Sequence, residues 1–65
     1  MTIRVNGTDQ EAESGLTVAG LLLQLGAHPE GVAVALNGEV IPKGDRGRLL
    51  SEGDRVEVIR AVGGG

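Results

Sequence analysis

Asn-Gly occurs twice, at Asn6-Gly7 and Asn37-Gly38, and these two pairs constrain the fold more than any other feature of the sequence. The dipeptide is favoured in two-residue hairpin turns because both central residues need positive φ. Each pair is flanked by strand-like residues. Thr2-Ile3-Arg4-Val5-Asn6 alternates, with Ile3 and Val5 on one face. Its partner, Thr8 to Glu13, is polar apart from Ala12, as suits an edge strand guarded by charges. Before the second pair, Val32-Ala33-Val34-Ala35-Leu36 is apolar throughout and predicts a strand with little solvent on either face. Glu39-Val40-Ile41 follows and stops at Pro42. Two hairpins are predicted.

A single helix lies between them. Val18, Leu21, Leu22 and Leu25 fall at i, i+3, i+4 and i+7, one apolar stripe. Thr17 is the expected N-cap, Gly26 the left-handed C-cap, and Pro29 prevents resumption. Gly20 inside the helix costs about 1 kcal/mol relative to Ala and would let the helix backbone approach a neighbour closely. After the second hairpin, Lys43 to Arg48 reads as a polar loop, Leu49-Leu50 returns to the core, and Ser51-Glu52-Gly53-Asp54 makes a turn. Arg55 to Val62 is the last strand, with Val56 and Val58 on one face and Ile59 and Ala61 on the other. Strand, strand, helix, strand, short strand, strand is the pattern of an α+β roll. A mixed sheet of four to five strands is expected, with one main helix packed across one face. Residues 1–62 are expected to form the folded domain and residues 63–65 a flexible glycine tail.

Composition excludes much chemistry. With no cysteine, the chain offers no disulfide, thiolate ligand or side-chain sulfur carrier. Without Phe, Tyr or Trp it has no stacking platform for bases, and a net charge of −3 is the wrong sign for binding phosphate backbones. The longest apolar run, Val32 to Leu36, is far too short to span a bilayer, so a cytoplasmic protein without membrane or nucleic-acid partners is expected, monomeric when alone. No phosphate-binding loop or dinucleotide fingerprint exists among the twelve glycines. His28 stands alone beside Pro29, with no second imidazole or thiolate to make a metal site. Ser14 and Ser51 sit in turn sequences. Asp45, Glu52, Asp54 and Glu57 are spread over turns and a solvated strand face, and Arg46, Arg48, Arg55 and Arg60 read as solvated surface charge or partner contacts. No metal and no bound cofactor are expected.

The distinctive remaining group is the end of the sequence, Gly63-Gly64-Gly65. Glycine has no Cβ, so such a tail can thread a channel too narrow for side chains. Three extended residues carry a terminal carboxylate about 10 Å beyond the last anchored residue. An α-carboxyl titrates at about 3.5, so it is an ionised oxygen nucleophile at neutral pH. The alternative is a frayed, inert end.

Size, hairpins, helix and tail together resemble the sulfur carriers of thiamine biosynthesis, the ThiS family of the ThiS/MoaD ubiquitin-like superfamily. The resemblance runs through Val-Ala-Leu-Asn-Gly-Glu-Val-Ile-Pro (Val34 to Pro42), Glu52-Gly53-Asp54-Arg55-Val56 and Gly64-Gly65. It implies a β-grasp fold with the first and last strands central and parallel. It also implies that an E1-like adenylyltransferase uses MgATP to activate the carboxylate of Gly65. A persulfide from a cysteine desulfurase system would convert the adenylate to a thiocarboxylate, and thiazole synthase would accept the sulfur. The carrier is then a protein co-substrate and not itself an enzyme. Ile59, Ala61, Val62, Gly63 and Gly64 would contact the partners. Relatives commonly place another small residue before the Gly pair, so Gly63 is read as that residue. Molybdopterin synthesis, transfer-RNA thiolation, protein modification and an inert β-grasp interaction domain stay open as alternatives.

Overall fold

The computed structural model describes residues 1–60; the expected strand end at Ala61 and Val62 and the tail Gly63 to Gly65 lie outside the described residues. Five strands and one α-helix are found among them, in the expected order: β1 (Thr2–Val5), β2 (Thr8–Glu11), α1 (Val18–Gln24), β3 (Val32–Leu36), β4 (Glu39–Ile41) and β5 (Arg55–Arg60). Their order across the sheet is β2-β1-β5-β3-β4. β1 and β5 pair in parallel, and the other pairs are antiparallel. The last strand is therefore central. Both Asn-Gly pairs turn as predicted, with φ of 50° and 83° at Asn6 and Gly7 and of 52° and 88° at Asn37 and Gly38. β2 ends at Glu11, short of the expected Glu13, although the Ala12 N–H still donates to the Met1 carbonyl at 2.8 Å.

Both ends of α1 are closed. The first N–H groups of a helix have no partner within it. Here the Val18 and Ala19 N–H groups donate to the Arg48 and Arg46 carbonyls at 3.1 and 2.8 Å, and that of Gly20 to Thr17 Oγ1 at 3.0 Å. At the other end Gly26 has φ 69°, Gly26 N–H donates to the Leu23 carbonyl and Ala27 N–H to the Leu22 carbonyl, a Schellman closure with Ala27 buried behind it. Gly20 approaches its neighbours closely, as expected: a Cβ there would meet Leu16 Cδ1 at 3.0 Å and Thr17 Oγ1 at 3.3 Å, side chains of the turn before it.

The core lies between α1 and one face of the sheet. Val18, Leu21 and Leu22 pack with Ile3, Val5, Val32, Val34, Leu36, Ile41, Leu50 and Val56, while Leu25 and Val58 are partly buried at its margin. Each fully buried Leu or Ile contributes about 1.5–3 kcal/mol. Three expectations fail here. β3 is not covered on both faces: Ala33 is exposed, because the one helix covers only the face of Val32, Val34 and Leu36. Leu49 does not enter the core with Leu50 but is 62 % exposed. The segment is extended, bridging Thr17, so consecutive side chains point opposite ways. Arg46, read as surface charge, is only 7 % exposed. Its Nη1 donates to the Pro29 carbonyl at 2.7 Å and its Nη2 to the Val32 carbonyl at 2.6 Å, while Nε has no protein partner. It ties the loop over the helix N-terminus to the start of β3.

Candidate functional site

Among the described residues, no helix or strand covers the sheet face opposite α1. β5 runs through its middle, presenting Val56 and Val58 to the core and Arg55, Glu57 and Ile59 to the open face. Pairing sets the neighbours: Ala33 stands opposite Ile59, and Ala35 opposite both Glu57 and Val40. Ile59 is 56 % exposed and Val40 75 % exposed, with small alanines between them. The β1–β2 half of the face is charged. Arg4 Nε meets Asp9 Oδ1 at 2.9 Å, and the Thr2 hydroxyl donates to Glu11 Oε1 at 2.6 Å. The Asp9 hydrogen bond and charge raise the Arg4 pKa above its ordinary value. The face is thus divided into an apolar half, towards the end of β5, and a salt-bridged half.

Ile59 therefore lies where the sequence placed it, on the open face. Ala61, Val62, Gly63, Gly64 and Gly65 fall beyond the described residues. What the described structure adds is their platform. Arg60 pairs with Val32, whose carbonyl is held by Arg46, so the last described residue of β5 is backed by a buried cation. A shallow depression lined by Gly26, Ala27, His28, Gly31, Val32 and Arg60 flanks that point.

The other candidates resolve into structural roles. His28 Nδ1 accepts from the Glu30 N–H at 3.3 Å, a turn contact. Asp54 accepts from the Ser51 N–H and from Asn37 Nδ2, and Glu52 from the Thr2 N–H, so these carboxylates hold turns and do not face one another. Among the described residues no three His, Cys, Asp or Glu side chains could hold a metal ion together, and no helix is long and apolar enough to cross a membrane. Lys43 bonds Glu30 at 2.9 Å, and this hydrogen bond, then its charge, lowers the Glu30 pKa. The lowered value means the pair stabilises the fold above the ordinary carboxylate range and loses that effect as acid protonates Glu30. The pair is exposed and its effect small.

Two side chains that hold the central strand escape sequence reading. Asn6 Oδ1 accepts from the Val58 N–H at 2.8 Å, and Asn37 Oδ1 from the Arg55 N–H at 2.9 Å. In a turn the Asn-Gly pair already has a sufficient explanation in its backbone, so nothing signals a second task for the side chain.

A mixed five-stranded sheet with one helix across it, and its last strand at the centre, is a β-grasp α+β fold of the ubiquitin-like class. A family model described as the ThiS family matches residues 3–65. The chain belongs to the ThiS family. The crystal structure of a thiamine biosynthesis protein (ThiS) from Geobacter metallireducens is 36 % identical with a TM-score of 0.82, covering 100 % of both chains. The solution structure of a thiamine biosynthesis protein from the same organism is 36 % identical with a TM-score of 0.80, covering 100 % of this chain and 88 % of that one. A thiazole synthase of Magnetococcus marinus is 46 % identical over 66 residues, and one of Paramagnetospirillum magneticum 33 % identical over 66 residues. Each match takes in 100 % of this chain but 20 % of the relative, so the chain spans one fifth of the length of those proteins.

Proposed function

We propose that this chain carries sulfur for thiazole formation in thiamine biosynthesis, as a thiocarboxylate at Gly65. The observation that carries this reading is the family match, which runs through Gly64 to Gly65. In the first step an E1-like enzyme aligns the Gly65 carboxylate with the α-phosphorus of MgATP; a carboxylate oxygen attacks and pyrophosphate leaves. Carboxylate oxygen is a poor leaving group, and the acyl-adenylate supplies a good one. A persulfide made by a cysteine desulfurase then attacks the carbonyl and AMP leaves. The product is an acyl disulfide; a thiol of the donor system then attacks the inner sulfur, the one bonded to the donor, forming a disulfide with it and releasing the thiocarboxylate. MgATP is a substrate of the partner and needs no site on this chain, and the ATP-dependent step belongs in the cytoplasm. The absence of cysteine fits, because the sulfur rides on the main chain.

Thiazole synthase is the proposed acceptor. Two proteins of that name contain a segment matching all of this chain, which favours thiazole over molybdopterin or transfer RNA as the destination. The test is reconstitution with activating enzyme, desulfurase and MgATP, followed by mass spectrometry. One oxygen of Gly65 replaced by sulfur is the expected result; an unmodified chain counts against the carrier reading and leaves an interaction domain.

The activating enzyme is proposed to dock on the apolar half of the open face, together with the tail. Ile59 and Val40 are the large exposed apolar residues described there, and Ile59 lies on the strand that leads to Ala61–Gly65. Ile59→Asp is expected to raise the KM for the carrier in ATP–pyrophosphate exchange about tenfold, the scale of one interface anchor. Its side chain leaves the core untouched, so the melting temperature should hold. Unchanged kinetics in the folded variant would move the docking surface elsewhere.

A further inference from the structure

We infer that Asn6 is a positioning residue for the tail, setting where the chain leaves β5; this rests on the carrier reading above. The argument comes from which backbone groups of β5 face β1. Successive residues of a strand point their N–H and C=O groups to opposite edges. On the β1 edge the Asp54 carbonyl accepts from Arg4 N–H and the Val56 carbonyl from Asn6 N–H, both at 2.9 Å. The chain then turns away at Asn6, and the parallel ladder ends at Val5↔Val56. One more group on this edge is held, the Val58 N–H, and a side chain holds it: Asn6 Oδ1 at 2.8 Å. The Val58 carbonyl and then the groups of Arg60 come next on that edge, past the end of the β1 ladder.

Asn6 thus acts as one further strand residue made from an amide. On the opposite edge β3 follows β5 as far as Val32↔Arg60. Past Val56, the described part of β5 is held on the β1 edge at the Val58 N–H, while on the β3 edge the ladder continues to Val32↔Arg60. Losing the Asn6 contact would leave the end of β5 hinged on β3 alone, free to swing across the sheet plane. The proposed reaction requires the Gly65 carboxylate in line with phosphorus, so a swing at the base of the tail is carried to its tip. Asn37 makes the same pair of contacts at the opposite end of the strand. Its N–H donates to the Arg55 carbonyl at 2.8 Å and its Oδ1 accepts from Arg55 N–H at 2.9 Å. It is the internal control.

The experiment compares wild type with Asn6→Gly, Asn6→Asp and Asn37→Gly in ATP–pyrophosphate exchange with the activating enzyme and in amide hydrogen exchange. Glycine accepts the positive φ of the turn but offers no acceptor; aspartate keeps one. In Asn6→Gly the Val58 amide should exchange at least about tenfold faster, and kcat/KM should fall about 10- to 100-fold, the scale of a misplacement near 1 Å. Asn6→Asp should restore both. Asn37→Gly should lower the melting temperature yet keep kcat/KM, which a merely structural role for Asn6 does not predict. An Asn6→Gly protein activated as well as wild type overturns the positioning role alone. A wild type that no activating enzyme accepts overturns the carrier reading and this role with it. A Val58 amide that exchanges as freely as that of Arg60 in wild type also overturns the role, and needs no variant.

Discussion

Deleting Gly65, or adding one residue after it, is expected to collapse ATP–pyrophosphate exchange with the activating enzyme while the melting temperature stays at its wild-type value. Deletion shortens the stalk by about 3.5 Å and withholds the carboxylate from the nucleotide. Positioning errors near 1 Å cost about 100-fold, so a whole residue should cost at least that. Extension converts the Gly65 carboxylate into an amide carbonyl, which cannot attack phosphorus, and presents a side chain or an extra residue to a channel that glycine fits. The core of the described domain runs from Ile3 to Val56, so neither change touches it. The two measurements separate cleanly: a lost melting transition would mean a structural role for the tail, and full activity of either variant would mean the tail is inert.

Arg46→Ala is expected to give the largest loss of stability of any charged residue in the domain. The guanidinium is buried and spans two main-chain carbonyls, those of Pro29 and Val32, at 2.7 and 2.6 Å. Truncation strands both acceptors beneath the loop and removes the packing of the stem. Hydrogen bonds to a charged group contribute about 1.5–3 kcal/mol, and a domain this small has about 3–10 kcal/mol in total. A loss of about 3 kcal/mol corresponds to a melting temperature lower by about 12–24 °C. Arg46→Lys should recover only part, because an ammonium is a point charge without the planar fork that reaches both carbonyls. Urea unfolding of the three proteins decides it. An alanine variant within about 0.5 kcal/mol of wild type would mean that water replaces the guanidinium at both carbonyls.

The contrast between Ile59 and Arg46 shows where sequence reasoning works. Ile59 follows from alternation along one strand, Val56 and Val58 inward and therefore Ile59 outward, and the strand needs no partner for that inference. Arg46 sits in a polar run, Lys43 to Arg48, whose composition is that of a solvated loop. Its burial depends on where Pro29 and Val32 lie, and no periodicity within residues 43–48 encodes that. Leu49 and Ala33 fail likewise. Ala33 lies in an apolar run and is exposed because one helix covers one face only, whereas Leu49 is turned outward by the extended segment that bridges Thr17.

The sequence by itself determined the local elements: two hairpins from two Asn-Gly pairs, one helix from its Leu stripe and caps, and a last strand with its faces assigned. These rest on interactions between residues a few positions apart, which leave a periodic trace. The chemistry proposed for the glycine end is likewise a reading of the sequence, since it depends on what glycine lacks. The parallel pairing of β5 with β1, which the family resemblance implied, is found, whereas the tertiary structure alone decided that Arg46 is internal and that Asn6 and Asn37 grip the central strand. The physical reason is separation along the chain. Asn6 and Val58 are 52 residues apart, and a hydrogen bond between them exists only once the sheet register has brought them together.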